Sequence, residues 1–204
     1  LDRPRPMGAD HAWFVLLEGA AAAGEEGLAA AMEACLAQAL DERTVRDGVL
    51  AQTESQAADL WFFRESLSEA QKKEGGSIKH DIALPVGSVP AFIDQGTALA
   101  ERLVPGCRPC PFGHLGDGNL HFNISQPVHM DSQAFLAHWE EMNRQIHDLV
   151  AAFGGSIAAE HGIGWMKAGE HARLCDPAKL AAQQAIKRAL DPHGLLNPGR
   201  IIAP

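Results

Sequence analysis

Four side chains suited to metal or proton chemistry fall in two short glycine-rich stretches. The first is Gly113–Asn123, Gly-His-Leu-Gly-Asp-Gly-Asn-Leu-His-Phe-Asn. Strand alternation puts Asn119, His121, Asn123 and Ser125 on one face and Leu120, Phe122 and Ile124 on the other. The apolar set faces a core, so the polar set lines a cavity or solvent. A tight turn at Gly116–Gly118 folds His114 back towards His121, and two imidazoles on neighbouring strand ends are a start on a metal site. A glycine-rich turn with two incidental histidines fits the same spacing equally well.

The second stretch is Gly154–Gly164, where a run of small residues ends in Glu160, His161 and Gly162. In a regular strand Glu160 and His161 point to opposite faces. Gly162 lets the backbone turn, so both can reach one site. Taken alone, such a pair reads as a surface pair. Taken with His114 and His121, it supplies a third oxygen or nitrogen ligand and leaves an imidazole to spare. Two histidines and one carboxylate leave coordination positions open for substrate, which is the catalytic pattern.

A third feature is a stripe at helical spacing, Leu60, Arg64 and Ser68 with Leu67 beside them. An arginine on an apolar stripe needs an anionic partner, either a ligand or a protein carboxylate. A structural salt bridge or a snorkelling side chain accounts for it as well. Lys79, beside His80 and Asp81, could join it, although an exposed lysine is the default reading.

The elements that must position these residues follow from period and punctuation. Strands are expected at His11–Leu17, Val45–Ala51, Ile78–Leu84, Cys110–Leu115, Asn119–Ser125 and from Gly155 to Glu160. Helices are expected at Glu25–Leu40, from a Thr53 cap to Lys73, at Pro90–Leu103, from an Asp131 cap to Phe153, and twice between Gly164 and Leu190. The Gly-Asp-Gly connection requires an antiparallel hairpin, because parallel neighbours need a long crossover. The fold class is therefore α+β: a mostly antiparallel sheet covered by helices, with split β-α-β units of the ferredoxin-like kind.

Composition narrows the function. The chain has 204 residues, 46% hydrophobic and 21% charged, which suits one sizeable domain. A net charge of −9 argues against a nucleic-acid partner. No apolar run approaches the roughly 20 residues of a membrane span, and a cytoplasmic location is expected. Leu1–Asp10 lacks a signal-peptide pattern and reads as a linker entering from something upstream. Cys107 and Cys110 form a lone C-x-x-C with prolines at 109 and 111, better read as ordinary thiols than as a redox or zinc pair.

Gly113–Asn123, Ala159–Gly164 (AEHGIG), Arg64 with Ser68 and Lys79, and the closing Leu190–Ile201 (LDPHGLLNPGRI) occur together and in order in one family. The chain resembles the C-terminal domain of FAD-linked oxidases, the group that includes D-2-hydroxyglutarate dehydrogenase, D-lactate dehydrogenase and the glycolate oxidase flavin subunit. The resemblance covers nearly the whole chain and implies one substrate- and metal-binding domain over residues 1–204, with 164–204 as its helical C-terminal segment. It implies that His114, His121 and Glu160 ligate a divalent metal, usually zinc, and that His161 is the catalytic base. It assigns substrate contacts to Arg64, Ser68, Lys79 and Asn123. Ser68 stands where D-2-hydroxyglutarate dehydrogenases tend to have threonine; the hydroxyl is kept.

The implied reaction is oxidation of a D-2-hydroxy acid to the 2-oxo acid. A metal-bound hydroxyl is acidified, a histidine near neutrality can take its proton, and hydride leaves for FAD. Two cations, Arg64 and Lys79, suit a substrate with two carboxylates, so D-2-hydroxyglutarate is expected first and D-lactate second. No Gly-x-Gly-x-x-Gly, P-loop or flavin-domain stretch is present, so FAD is expected from an N-terminal flavin domain or a separate subunit. This chain alone is expected to be inactive. The sequence leaves the electron acceptor open, and a homodimer is among the assemblies it allows. Two other readings stand beside this one: a flavin-free metal-dependent hydrolase using the same His, His and Glu set, and a non-catalytic ligand-binding module.

Overall fold

The structure is a computed structural model, and it describes residues 6–8, 11–22 and 26–202. Most of the Leu1–Asp10 linker reading, the first residue of the Glu25 helix and the end of the tail lie outside them. The chain divides into two compact units, Leu1–Ala70 and Gln71–Pro204.

In the first unit, α1 (Leu28–Asp41) forms where alanine and leucine dominate, and α2 (Glu54–Glu65) follows a threonine cap. Thr53 caps α2 by accepting from the backbone N–H of Gln56 at 3.2 Å. The two strands expected here do not form: 11–17 and 45–51 belong to no strand. Apolar and β-branched content suggested strands, but a strand also needs a partner for its backbone groups, and the described residues pair none with either segment. Trp13, Phe14, Val15 and Leu17 are exposed. The helix expected to run from Thr53 to Lys73 is broken at Ser66, with α3 (Leu67–Gln71) and a 3-10 turn (Lys72–Glu74) following. Neither glycine nor proline marks that break in the sequence. It puts Arg64 on the last turn of α2 and Ser68 on α3, so the expected stripe is not one continuous helical row.

The second unit is built on three antiparallel strands, β1 (Ser77–Ala83), β2 (Arg108–His114) and β3 (Asn119–Ser125), in the order β1-β3-β2. This is the α+β arrangement expected. The β2–β3 connection is the predicted hairpin. Its single 3-10 turn at Leu115–Asp117 closes at Gly118, whose φ of 73° lies in the left-handed region. A Cβ on Gly118 would stand 1.9 Å from the Leu84 carbonyl oxygen, so glycine is also required for close packing there.

One face of the sheet carries Ile78, Ile82, Leu120, Phe122 and Ile124, all buried. They pack under α4 (Val89–Leu103) and α6 (Trp139–Ala152), which present Val89, Phe92 and Ala100, and Met142, Ile146 and Val150, at helical spacing. The Phe92 and Phe122 rings meet edge to face at 5.5 Å. Asp131 caps α5 (Ser132–Leu136) with two bonds of 3.0 Å, but the expected long helix breaks at Ala137–His138 before α6 begins. The strand expected from Gly155 to Glu160 shrinks to one bridge, Ser156 against Ala83. The helices α7 (Ala168–Leu174) and α8 (Pro177–Leu190) complete the unit. No helix among the described residues is long and apolar enough to cross a membrane.

Candidate active site

The other face of the sheet is polar, and three of its four rungs across β1, β3 and β2 carry the candidate residues. They are Lys79–Asn123–Cys110, Asp81–His121–Phe112 and Ala83–Asn119–His114. His121 therefore sits at the centre of this face, with Asp81 beside it on β1. His114 is one rung away at the hairpin end.

Residues 157–161 come over this face as an irregular loop. After the Ser156 bridge, the backbone N–H groups of Ala159, Glu160 and His161 donate to the Asp81 carboxylate at 3.2, 3.3 and 3.0 Å. Lys167 adds a second tie, its Nζ donating to the carbonyls of Ile157 at 2.7 Å and Asp81 at 3.2 Å. Because the segment is not a regular strand, Glu160 and His161 are not forced to opposite faces, and both turn to the same polar face.

Glu160 reaches between the two histidines of the sheet. Its Oε1 lies 3.7 Å from His114 Nε2 and its Oε2 lies 3.9 Å from His121 Nε2. Asn119 steadies it, donating from Nδ2 to Oε1 at 2.5 Å. The His161 ring stacks on His121 at 5.8 Å with 26° between the planes, and its Nδ1 is 3.7 Å from Asp81. Phe112 covers the other side of His121 at 5.1 Å. Side-chain exposure is 16% at His121 but 52% at His114 and 68% at His161, so the cluster opens to solvent around a largely covered His121.

This donor set suits a small divalent cation. Imidazole nitrogens and a carboxylate oxygen are the donors zinc takes, although Glu160 meets the two histidines through different oxygens, Oε1 towards His114 and Oε2 towards His121, so gathering all three on one ion needs side-chain movement. Asp81, Glu160 and His161 form a tighter trio, with ligand atoms all within 4.8 Å of one another. Yet the Asp81 oxygens already accept three backbone N–H groups, which leaves that carboxylate poorly placed to ligate.

Charge at the centre is set by these contacts. Burial alone would raise the Asp81 carboxyl; the backbone donors at His161 and Glu160, then the His161 and Lys167 charges, hold it below the usual range. Burial lowers Lys167, with Asp81 partly restoring it. Among the expected substrate contacts, Lys79 is exposed on the polar face. Asn123 is buried beside it and donates from Nδ2 to Gln71 Oε1 at 2.7 Å. Arg64 and Ser68 belong to the first unit, and the sheet that carries the rest belongs to the second. Cys107 is buried, its thiol pushed up to about 11 by that burial and then by Glu101. That accords with an ordinary thiol.

Asp81 and Lys167 were not among the residues singled out in the sequence. Asp81 shares strand parity with Lys79, which was a usable signal. Lys167 lies in a turn with no periodicity to mark it.

Residues 3–201 match the family described as FAD linked oxidases, C-terminal domain. The chain belongs to that family. It is 38% identical over 204 residues to a D-2-hydroxyglutarate dehydrogenase of Stutzerimonas stutzeri, covering 99% of this chain and 43% of the relative. A D-2-hydroxyglutarate dehydrogenase of Xanthomonas citri is 35% identical, over 96% of this chain and 41% of the relative. A mitochondrial D-2-hydroxyglutarate dehydrogenase of Arabidopsis thaliana is 34% identical, over 97% and 34%. The chain thus spans less than half the length of these relatives.

Proposed function

We propose that this chain is the substrate- and metal-binding part of an FAD-dependent dehydrogenase that oxidises D-2-hydroxyglutarate to the 2-oxo acid. The observation that carries the reading is the convergence of His114, His121, Glu160 and His161 on one polar sheet face, in a chain of the FAD-linked oxidase family. Family membership favours it over the hydrolase and the non-catalytic module. The relatives named above all bear the dicarboxylate's name, and no observation favours D-lactate. A cytoplasmic location is part of the proposal for a bacterial-type protein; the plant relative is mitochondrial by name.

In this reading His114, His121 and Glu160 are the residues that would hold zinc. Zinc bound there would polarise the substrate hydroxyl and make its proton easier to remove. The hydride lost from C2 would need an acceptor, which FAD would supply when bound by a flavin domain outside these 204 residues. His161 takes the hydroxyl proton. Lys79 offers its ammonium to a substrate carboxylate from the same face, and Asn123 lines the rung beside it. Arg64 and Ser68 keep their roles as carboxylate and hydroxyl contacts on the strength of the family resemblance.

The test is zinc content of the purified protein beside His121→Ala and Glu160→Ala, with turnover of D-2-hydroxyglutarate by the full-length protein and an artificial electron acceptor. Near-stoichiometric zinc that falls well below one per chain in both variants, together with acceptor-dependent turnover, is the expected result. Unchanged zinc in His121→Ala would remove that residue from the site. Turnover without an acceptor would replace the dehydrogenase with a hydrolase.

A further inference from the structure

Asp81 has no role in the reaction as set out above, yet it touches more of the site than any ligand does. It is 5% exposed and sits on β1 directly opposite His121. Three consecutive backbone N–H groups, at residues 159, 160 and 161, point at its carboxylate. That fan of donors ties the loop bearing Glu160 and His161 to the strand facing His121. The Ser156 bridge, the Lys167 tie and the buried Ile157 side chain hold the start of the same loop.

The same carboxylate also faces two imidazoles, and in each case the same ring atom. Asp81 Oδ1 is 3.8 Å from His121 Nδ1, and Oδ2 is 3.7 Å from His161 Nδ1. These separations are longer than hydrogen bonds. An anion on that side favours a proton on Nδ1, which leaves the lone pair on Nε2. For His121, Nε2 is the atom that faces Glu160. A carboxylate behind a histidine, opposite the nitrogen that binds metal, is a common means of orienting the ring, and its loss typically costs 10–100-fold in metal affinity. For His161 the same placement turns Nε2 away from Asp81, as a proton acceptor for substrate requires.

We propose that Asp81 is a positioning residue for this site: it holds the backbone of residues 159–161 and decides which ring nitrogen His121 and His161 each offer. The zinc arm of the test rests on the reading given under Proposed function; the other two arms do not.

The experiment uses the full-length protein labelled with 15N-histidine, compared with Asp81→Asn and Asp81→Glu. In zinc-free wild type at mildly alkaline pH, the ring 15N shifts of both His121 and His161 should report a proton on Nδ1. Asp81→Asn, close to isosteric, should lose that signature at both rings. It should speed amide exchange at 159–161 while leaving β1–β3 protected, and raise the zinc Kd by about 10–100-fold. Asp81→Glu keeps the charge and should restore the ring signature at least in part. Wild-type rings protonated on Nε2 would overturn the proposal without any variant. So would a folded Asp81→Asn protein with unchanged ring shifts, exchange and zinc Kd. If wild type takes up no zinc, the metal reading fails, and the ring shifts and exchange still decide Asp81.

Discussion

The second unit holds two pairs of histidines whose rings lie almost equally far apart. His121 and His161 stack at 5.8 Å on the polar face, and His80 and His147 meet edge to face at 5.9 Å. His80 and His121 even lie on paired strands, one rung apart. What separates them is which face of the sheet they occupy. His80 and His147 are 1% and 2% exposed, and each has a buried Nε2 without a hydrogen-bond partner. His80 Nδ1 bonds the Phe122 carbonyl at 2.8 Å, and His147 Nδ1 faces Glu170 at 3.2 Å. Burial drives the His80 pKa down to about 3 and lowers that of His147, which Glu170 only partly offsets. The core pair is kept neutral and closed in. The polar-face pair reaches solvent through His161, 68% exposed against 16% for His121, and has two carboxylates, Asp81 and Glu160, within reach. Access, rather than spacing between imidazoles or a carboxylate neighbour, makes one pair a candidate site and the other part of the core.

The sharpest way to break this comparison is His161→Ala in the full-length enzyme. It should keep zinc and lose at least 10²-fold in kcat for D-2-hydroxyglutarate, the range for a general base. Loss of zinc in that variant would make His161 a ligand instead. Replacing Phe122, the ring that packs beside His80, should act on the other side of the sheet. Phe122→Ala should cost about 3–5 kcal/mol of folding stability by urea titration, against a much smaller loss for His161→Ala at its exposed position.

The smallest expected effect is a pH slope that belongs to the core pair. A histidine whose folded pKa is depressed contributes stability that is full above its unfolded value near 6.5 and lost as pH falls below it. For His80, with a folded value of about 3, lowering the pH from about 7 to about 5 should remove on the order of 2 kcal/mol. His147 adds in the same direction. That window lies above the ordinary carboxylate range, so Asp81 and Glu170 do not obscure it. His80→Phe should flatten the slope in zinc-free protein; an undiminished slope would mean that His80 is not the buried neutral group described.

Much of the site was legible from residue types alone. The Gly-Asp-Gly turn required a hairpin, and β alternation put His121 and Asn123 on the polar face, because side chains on a strand alternate whatever the rest of the fold does. Sequence misled at 155–160. A strand was expected over that stretch, whereas the chain leaves the sheet after one bridge, and Glu160 and His161 reach one face, as a turn there allows. Apolar content at 11–17 and 45–51 likewise suggested strands that the described structure does not pair.

Sequence by itself determined the ligand-type residues, the hairpin that brings His114 to His121, the α+β class and the family, since these rest on local period, turn chemistry and motif order. The tertiary structure decided which face of the sheet is core, and so which histidines are open and which are closed in. It also decided that Asp81, 78 to 80 residues from the loop it holds, lies under Glu160 and His161. A carboxylate's partners across such a span depend on strand register and loop path, and neither is written in local sequence.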